Sequence, residues 1–140
     1  MSSSAEDPDR RAAHGPAPVA NPIESLSGVR LATADMTAAV RFYEALGFHR
    51  ISGGPTAPFT SFQAGGSFLN LQVDPAHPPA TTVWGRVIFW VDDVDACYER
   101  ARDAGYTPPS PPADAPWGER YFHVHDPDGH ELSFARPLGR

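Results

Sequence analysis

The chain has 140 residues, a formal net charge of −6 at pH 7 and one cysteine. The acidic balance argues against nucleic acid or an anionic membrane surface as a partner, and one cysteine excludes an internal disulfide and a thiolate metal cluster. All 11 basic residues are arginine, which excludes lysine Schiff-base chemistry, and the length suits one domain with a substantial core.

Residues 1–24 are predicted to form a flexible tail. They are small, polar and proline-rich, and such a composition buries too little apolar surface to order a chain. They lack the apolar segment of a secretory signal, and no later apolar run is long enough to cross a bilayer. We therefore expect a cytoplasmic protein whose single domain spans residues 25–138.

The first part of that domain, residues 25–74, is predicted to be a strand, a helix and three further strands. The strand Ser27–Thr33 precedes Asp35, which is well placed to cap a helix. Gly47 supplies the left-handed stop at the helix end. The helix carries one apolar stripe, formed by Met36, Val40, Tyr43 and Leu46. Three strands follow it: Phe48–Ser52, Phe59–Ala64 and Ser67–Val73.

Residues 83–138 repeat the same order. Gly28–Phe48 aligns without a gap on Arg86–Tyr106, so that Asp35 matches Asp93 and Gly47 matches Gly105. Such a repeat indicates two copies of one supersecondary unit that bury their apolar faces together. The second copy is predicted as a strand, a helix, a proline-rich loop and a closing hairpin: Arg86–Val91, Val94–Ala104, Thr107–Pro116, Glu119–His125 and His130–Ala135.

The turn Asp126–Gly129 sets the register of the closing hairpin. Proline at its second position and glycine at its fourth favour a type I turn followed by a bulge, which pairs Phe122 with Phe134. Alternation places these rings under a helix and sends every second residue to the other face. That face collects side chains of the second copy that are polar or aromatic except for Ile88: Arg86, Ile88, Trp90, Tyr121, His123, His125, Glu131 and Ser133.

The strands of the first copy alternate in the same way. Val29 and Leu31 point under the helix, whereas Phe68, Asn70 and Gln72 face away from it. The sequence therefore predicts an α+β fold of two βαβββ modules in tandem, module one over residues 25–74 and module two over residues 83–138. The modules are expected to form a concave sheet groove with helices on the outer face.

Three segments in this order resemble the vicinal oxygen chelate superfamily, which groups glyoxalase I, bleomycin-resistance proteins and extradiol dioxygenases. They are FYEALGF in module one, FWVDDVDACYERARDAG in module two and WGERYFHVHDPDGHELSF in the closing hairpin. The resemblance covers about Ser25 to Leu138. It implies the tandem βαβββ fold, a small-molecule partner and a homodimer, since many relatives pair in this way.

The resemblance also indicates where a metal would be bound. Enzymes of the family use one position on the first strand and one on the last strand of each module, and these fall on Gly28, Asn70, Arg86 and Ser133. Divalent ions need carboxylate or imidazole ligands, whereas glycine has no side chain and arginine is a permanent cation. We therefore expect no metal and no other cofactor.

Without a metal, the resemblance points to the branch that sequesters a drug without changing it. The predicted groove suits this role, because ligand sites combine apolar walls with a few placed polar groups. We expect an aromatic or amphipathic small molecule as the ligand. Its predicted contacts are Arg86, Trp90, Asn70, Tyr121, Ser133 and Phe68.

Two other functions stay open. One is an enzyme of the same superfamily, a lyase, isomerase or dioxygenase-like catalyst that uses His123 and Glu131, with or without a divalent metal. The other is an interaction domain with an empty groove. Arg86 either contacts the ligand or forms a structural ion pair with Glu131. Trp84 and Trp117 either cap the core or line the groove, and His130 is predicted to be a surface residue beside the turn.

Overall fold

A computed structural model describes residues 22–139 of the chain. The tail predicted over residues 1–24 lies mostly outside this range and stays a prediction. The described residues form eight strands and two helices: β1 (Gly28–Thr33), α1 (Met36–Ala45), β2 (His49–Ser52), β3 (Phe59–Ala64), β4 (Ser67–Val73), β5 (Val87–Trp90), α2 (Val94–Asp103), β6 (Ala113–Ala115), β7 (Glu119–His125) and β8 (Glu131–Pro137).

The strands form two four-stranded sheets with the same topology. The first sheet has the order β1-β4-β3-β2 and the second has the order β5-β8-β7-β6. In each sheet the opening strand lies parallel to the last strand of its module, and the other pairs are antiparallel. The predicted α+β fold of two βαβββ modules is confirmed.

The segment Thr107–Pro116, predicted to be a loop, contains one more strand. Strand β6 pairs with β7 and places Ala113 opposite Tyr121. It lies at the edge of the second sheet, where neighbouring prolines are tolerated because one side of the backbone needs no ladder partner. The many prolines of this segment led to the prediction of a loop. The short edge strand forms because it pairs with β7.

Both helices begin and end at the predicted residues to within one position. Asp35 accepts a hydrogen bond from the amide of Ala38 at 3.1 Å, and Asp93 accepts from the amide of Ala96 at 3.0 Å. Gly47 and Gly105 follow the helix ends with φ values of 109° and 94°, where glycine is favoured. Within residues 22–139 neither helix is long and apolar enough to cross a membrane.

The helix-side faces of both sheets share one hydrophobic core. Phe48 joins the modules, since its ring centroid lies 4.9 Å from that of Phe89 and 6.1 Å from that of Phe134. Because side chains alternate along a strand, a sheet that turns its helix side into this core turns its other side, here called its open face, outward. The core includes Leu31, Val40, Phe42, Tyr43, Phe62, Leu69, Leu71, Cys97, Phe122, Val124, Leu132 and Phe134.

The turn between β7 and β8 holds the second module against the first. Tyr43, on α1, donates a hydrogen bond from its hydroxyl to Oδ2 of Asp126 at 2.7 Å. Asp128 accepts through Oδ1 from the amide of Ala34 at 2.9 Å, just before α1 begins. Both carboxylates are buried, so two polar contacts tie this turn to the first module, one within α1 and one just before it.

The prediction that His130 is a surface residue is wrong. The residue is 6% exposed; its Nε2 lies 2.9 Å from the carbonyl oxygen of Ala32, and its Nδ1 accepts from the indole of Trp84 at 3.1 Å. This pair of contacts assigns the ring proton to Nε2. Turn chemistry alone places His130 beside a loop, but the first module packs over that loop and buries the ring.

Asp126 occupies an unusual electrostatic position. Burial raises the pKa of this carboxyl above its usual value of 3.8, and the hydrogen bond from Tyr43 offsets the effect only in part. Its Oδ1 also accepts from the amides of Asp128 and His130, at 3.0 and 2.9 Å. The folded protein therefore holds a proton on Asp126 more readily than the unfolded chain does.

Replacing Tyr43 with Phe should destabilise the protein. The substitution keeps the buried ring but leaves one oxygen of Asp126 without its donor, which costs about 1–3 kcal/mol. Urea unfolding measures the change. The matched control is Tyr106→Phe, whose hydroxyl makes no hydrogen bond within the described residues and whose loss should cost less than about 0.5 kcal/mol. Equal effects of the two substitutions would contradict the role given to Tyr43.

Replacing Asp126 with Asn should flatten part of the pH dependence of stability. A raised folded-state pKa contributes stability that is fully present below the unfolded pKa, at about pH 4, and that is lost as pH rises through the folded-state pKa. The unfolding free energy of the wild type minus that of Asp126→Asn should therefore fall from acid to neutral pH. Urea unfolding at several pH values tests this, and parallel profiles would contradict it.

Candidate functional site

The open face of the second sheet carries a cavity of about 120 Å³. The hairpin has the predicted register, and this register places the residues that line the cavity. His123 lies opposite Ser133, and Ser133 lies beside Ile88 of β5. Successive strands therefore present side chains at one level of the sheet. This cavity, called the sheet cavity below, is lined by Arg86, Ile88, Trp117, Glu119, Tyr121, His123 and Ser133.

An ion pair borders the sheet cavity. Arg86 turns its guanidinium toward Glu131 at the start of β8, and both Nε and Nη2 contact Oε2 of that carboxylate. The other oxygen, Oε1, lies 3.4 Å from Nε2 of His125. Since the Glu131 side chain is 10% exposed and that of Arg86 is 36% exposed, the carboxylate anchors the guanidinium at the cavity edge. The ion pair, one of the two roles expected for Arg86, is present.

A row of rings forms one wall of the sheet cavity. Trp117 and Tyr121 stack with centroids 6.2 Å apart and an interplanar angle of 24°. The ring of His123 lies 5.1 Å from that of Tyr121. Tyr121 and His123 are two residues apart on β7, so strand alternation brings them to one face, and Trp117 lies in the turn just before that strand. The structure thus places Trp117 in the cavity wall, while Trp84 is 59% exposed and bonded to His130.

Glu119 is the residue that sequence reasoning missed. It lies at the start of β7, is 4% exposed and lines the sheet cavity. Its carboxylate accepts hydrogen bonds from the indoles of Trp90 and Trp117 at 3.3 and 3.2 Å. Alternation from Tyr121 already assigns Glu119 to this face, so the signal was available. The bond from Trp90 on β5 depends on tertiary packing and could not be read from the sequence.

The other predicted contacts are distributed between the two sheets. Phe68 and Trp90 border a larger crevice of about 510 Å³ between the modules, along the edge strand β5. Asn70 lies on the open face of the first sheet, lines neither cavity, and accepts through Oδ1 from the hydroxyl of Ser61 at 2.7 Å. Four predicted residues meet in the sheet cavity: Arg86, Tyr121, His123 and Ser133.

The four positions aligned with the family's metal ligands do not fit a divalent ion. A side chain at Gly28 would place its Cβ 2.9 Å from the carbonyl oxygen of Phe68. Arg86 brings a permanent cation, and Asn70 and Ser133 are weak neutral ligands. Among residues 22–139, no three His, Cys, Asp or Glu side chains are grouped so that they would hold a metal.

Comparisons with known proteins agree on one family. The model of the Glyoxalase/Bleomycin resistance protein/Dioxygenase superfamily matches residues 25–134. TioX from Micromonospora sp. ML1 is 30% identical with a TM-score of 0.66, over 82% of this chain and all of that chain (100%). The comparison with curated proteins found no match.

Two more distant structures show the same fold. A bleomycin-binding protein complexed with bleomycin is 23% identical with a TM-score of 0.63, over 81% of this chain and 98% of that one. Lactoylglutathione lyase from Agrobacterium tumefaciens is 21% identical with a TM-score of 0.64, over 81% of this chain and 94% of that one. One of these names describes a binding protein and the other an enzyme, so the likeness decides the fold and leaves the activity undetermined.

Proposed function

This chain belongs to the Glyoxalase/Bleomycin resistance protein/Dioxygenase superfamily, and from that premise we propose that it binds a small aromatic or amphipathic molecule without changing it. The observation that carries this proposal is the ring wall of the sheet cavity, where Trp117, Tyr121 and His123 lie beside the polar groups of Arg86 and Ser133. Flat apolar surfaces with a few fixed polar groups are what a small-molecule site requires.

The contacts of Glu131 favour binding over catalysis. An enzyme that used His123 and Glu131 would need the carboxylate to hold the imidazole or to move a proton. Glu131 instead contacts Arg86 through one oxygen and lies near His125 with the other. In this proposal Glu131 fixes the guanidinium at the cavity edge, and His123 is part of the wall.

We also propose that the protein acts as a homodimer. Aromatic side chains are exposed on the open faces of both sheets: Phe68 is 41% exposed on the first, and Trp90 is 43% exposed on the second. β1 and β5 are edge strands, and such strands offer unpaired backbone groups to another chain. A second copy that lays its first sheet over the second sheet of this chain would bring Asn70 and Phe68 to the site that holds Arg86.

Ligand binding should quench tryptophan fluorescence. In Trp84→Phe the remaining tryptophans of the three in the chain are Trp90 and Trp117, which bond to Glu119 beside the cavity. We expect acridine, a planar probe, or bleomycin, the compound named for one relative, to reduce their emission. Tyr121→Ala should weaken binding about tenfold because it removes a stacking surface.

The matched control is Val83→Ala, which truncates an apolar residue that is 58% exposed at the start of the second module. Its affinity for the probes should equal that of Trp84→Phe alone. If neither probe changes the emission of Trp84→Phe, the binding proposal is wrong. Unchanged affinity in Tyr121→Ala would move the site away from the sheet cavity.

The dimer has its own test in a solution mass measurement. Light scattering after size exclusion should give twice the chain mass of 15.1 kDa. Phe68→Asp should halve the measured mass, because a buried carboxylate at the contact would lose its hydration. Val83→Asp adds the same charge at the start of the second module and should leave the mass unchanged. A wild-type protein that elutes with the mass of one chain would refute the dimer.

A further inference from the structure

Ser133 is a buried polar residue in the lining of the sheet cavity. It is 4% exposed and lies on β8, between Ile88 of β5 and His123 of β7. Since both neighbouring strands pair with β8, the backbone groups around the serine are already used in the sheet. Its hydroxyl forms no hydrogen bond within residues 22–139. A buried hydroxyl of this kind costs stability unless water or a ligand supplies a partner.

The position of Ser133 makes it the floor of the sheet cavity. It has the shortest side chain among the lining residues. Side chains stand roughly perpendicular to a sheet, so the longer ones on the adjacent strands, among them Ile88 on β5 and Tyr121 on β7, rise on either side of it. A molecule that fills the cavity therefore brings its innermost atom to the serine hydroxyl.

Arg86 supplies further donors at the edge of the same cavity. Its Nε and Nη2 contact Oε2 of Glu131, which fixes the orientation of the guanidinium. Its Nη1 forms no hydrogen bond within the described part of the chain. Arg86 comes two positions before Ile88 and shares its face, so it is a diagonal neighbour of Ser133. A hydroxyl can donate or accept, whereas a guanidinium only donates, so an acceptor atom suits both groups.

From these two groups we infer that the ligand of the sheet cavity is a flat aromatic molecule with an acceptor oxygen in the plane of its ring, as in an aryl carbonyl or an aryl carboxylate. This inference rests on the proposed binding function and specifies its ligand class. Ser133 and Nη1 of Arg86 donate to the oxygen, and the ring stacks on Tyr121. Because the lone pairs of such an oxygen lie in its own plane, the oxygen meets the floor while the ring faces the wall.

Three probes of nearly equal shape test the inference. Acetophenone carries a carbonyl oxygen, benzoate carries a carboxylate, and α-methylstyrene has a CH₂ group where acetophenone has its oxygen. Ligand-detected NMR titrations give their affinities for the wild type and for Ser133→Ala. We expect the substitution to weaken at least one oxygen-bearing probe about five- to tenfold and to leave α-methylstyrene unchanged, because only an oxygen loses a donor. The oxygen-bearing probe that binds the wild type more tightly distinguishes carbonyl from carboxylate.

Ser133→Ala should fold, because the hydroxyl that it removes makes no hydrogen bond within the described residues. Its melting temperature without ligand, followed by circular dichroism, should equal or exceed that of the wild type. The matched control is Ser110→Ala, which removes an exposed hydroxyl before β6 and should change no affinity. If Ser133→Ala does not fold, Ser133→Cys replaces it, since a thiol is a weak donor and should give the same pattern of losses.

The outcomes separate this inference from the binding proposal. If acridine, bleomycin and the three probes all fail to bind the wild type, the proposed function fails and the inference fails with it. If acridine or bleomycin binds but neither acetophenone nor benzoate does, the inference is wrong while the binding function stands. Equal losses for all three probes in Ser133→Ala would show an effect of shape, and no loss would show that the serine bonds only to water. Either result overturns the inference.

Discussion

One buried carboxylate connects the geometry of the open face to the packing of the two modules. Inside the turn, Oδ1 of Asp126 accepts from the amides of Asp128 and His130, which shapes the connection between β7 and β8. Outside it, Oδ2 accepts from Tyr43 on α1. The group that shapes the hairpin turn thus also anchors the second module to the first helix. Removing one donor from a buried carboxylate costs more free energy of folding than the hydrogen bond itself contributes.

The register of this hairpin is the part of the site that could be predicted from sequence. A proline and a glycine at defined turn positions specify the loop, and the alternation of side chains along each strand then determines which residues share a face. His123 opposite Ser133 and His125 opposite Glu131 follow from local chemistry alone, and the structure has both pairs. The helix caps at Asp35 and Asp93 were predictable for the same reason, since a cap depends on residues within one turn of it.

The features that sequence reasoning missed all depend on distant partners. Strand β6 forms because β7 offers it an edge, and His130 is buried because the Ala32 carbonyl and the Trp84 indole close over it. The hydrogen bond from the Trp90 indole to Glu119 joins β5 to β7 across the intervening β8. No local pattern encodes such contacts, because they arise only when two sequence-distant segments pack side by side. Alternation gives the face of a residue but not its partner.

Two of the four positions aligned with the metal ligands of the family's enzymes make internal contacts here. Asn70 accepts from Ser61, and Arg86 is paired with Glu131. A guanidinium thus supplies a positive charge where those enzymes hold a cation, and a carboxylate on the adjacent strand neutralises it. Arginine cannot give up this charge or accept a lone pair. This point of the sheet therefore carries a positive charge but no Lewis acid. The face is consequently divided into an ion pair where β5 and β8 begin and a row of aromatic rings at β7.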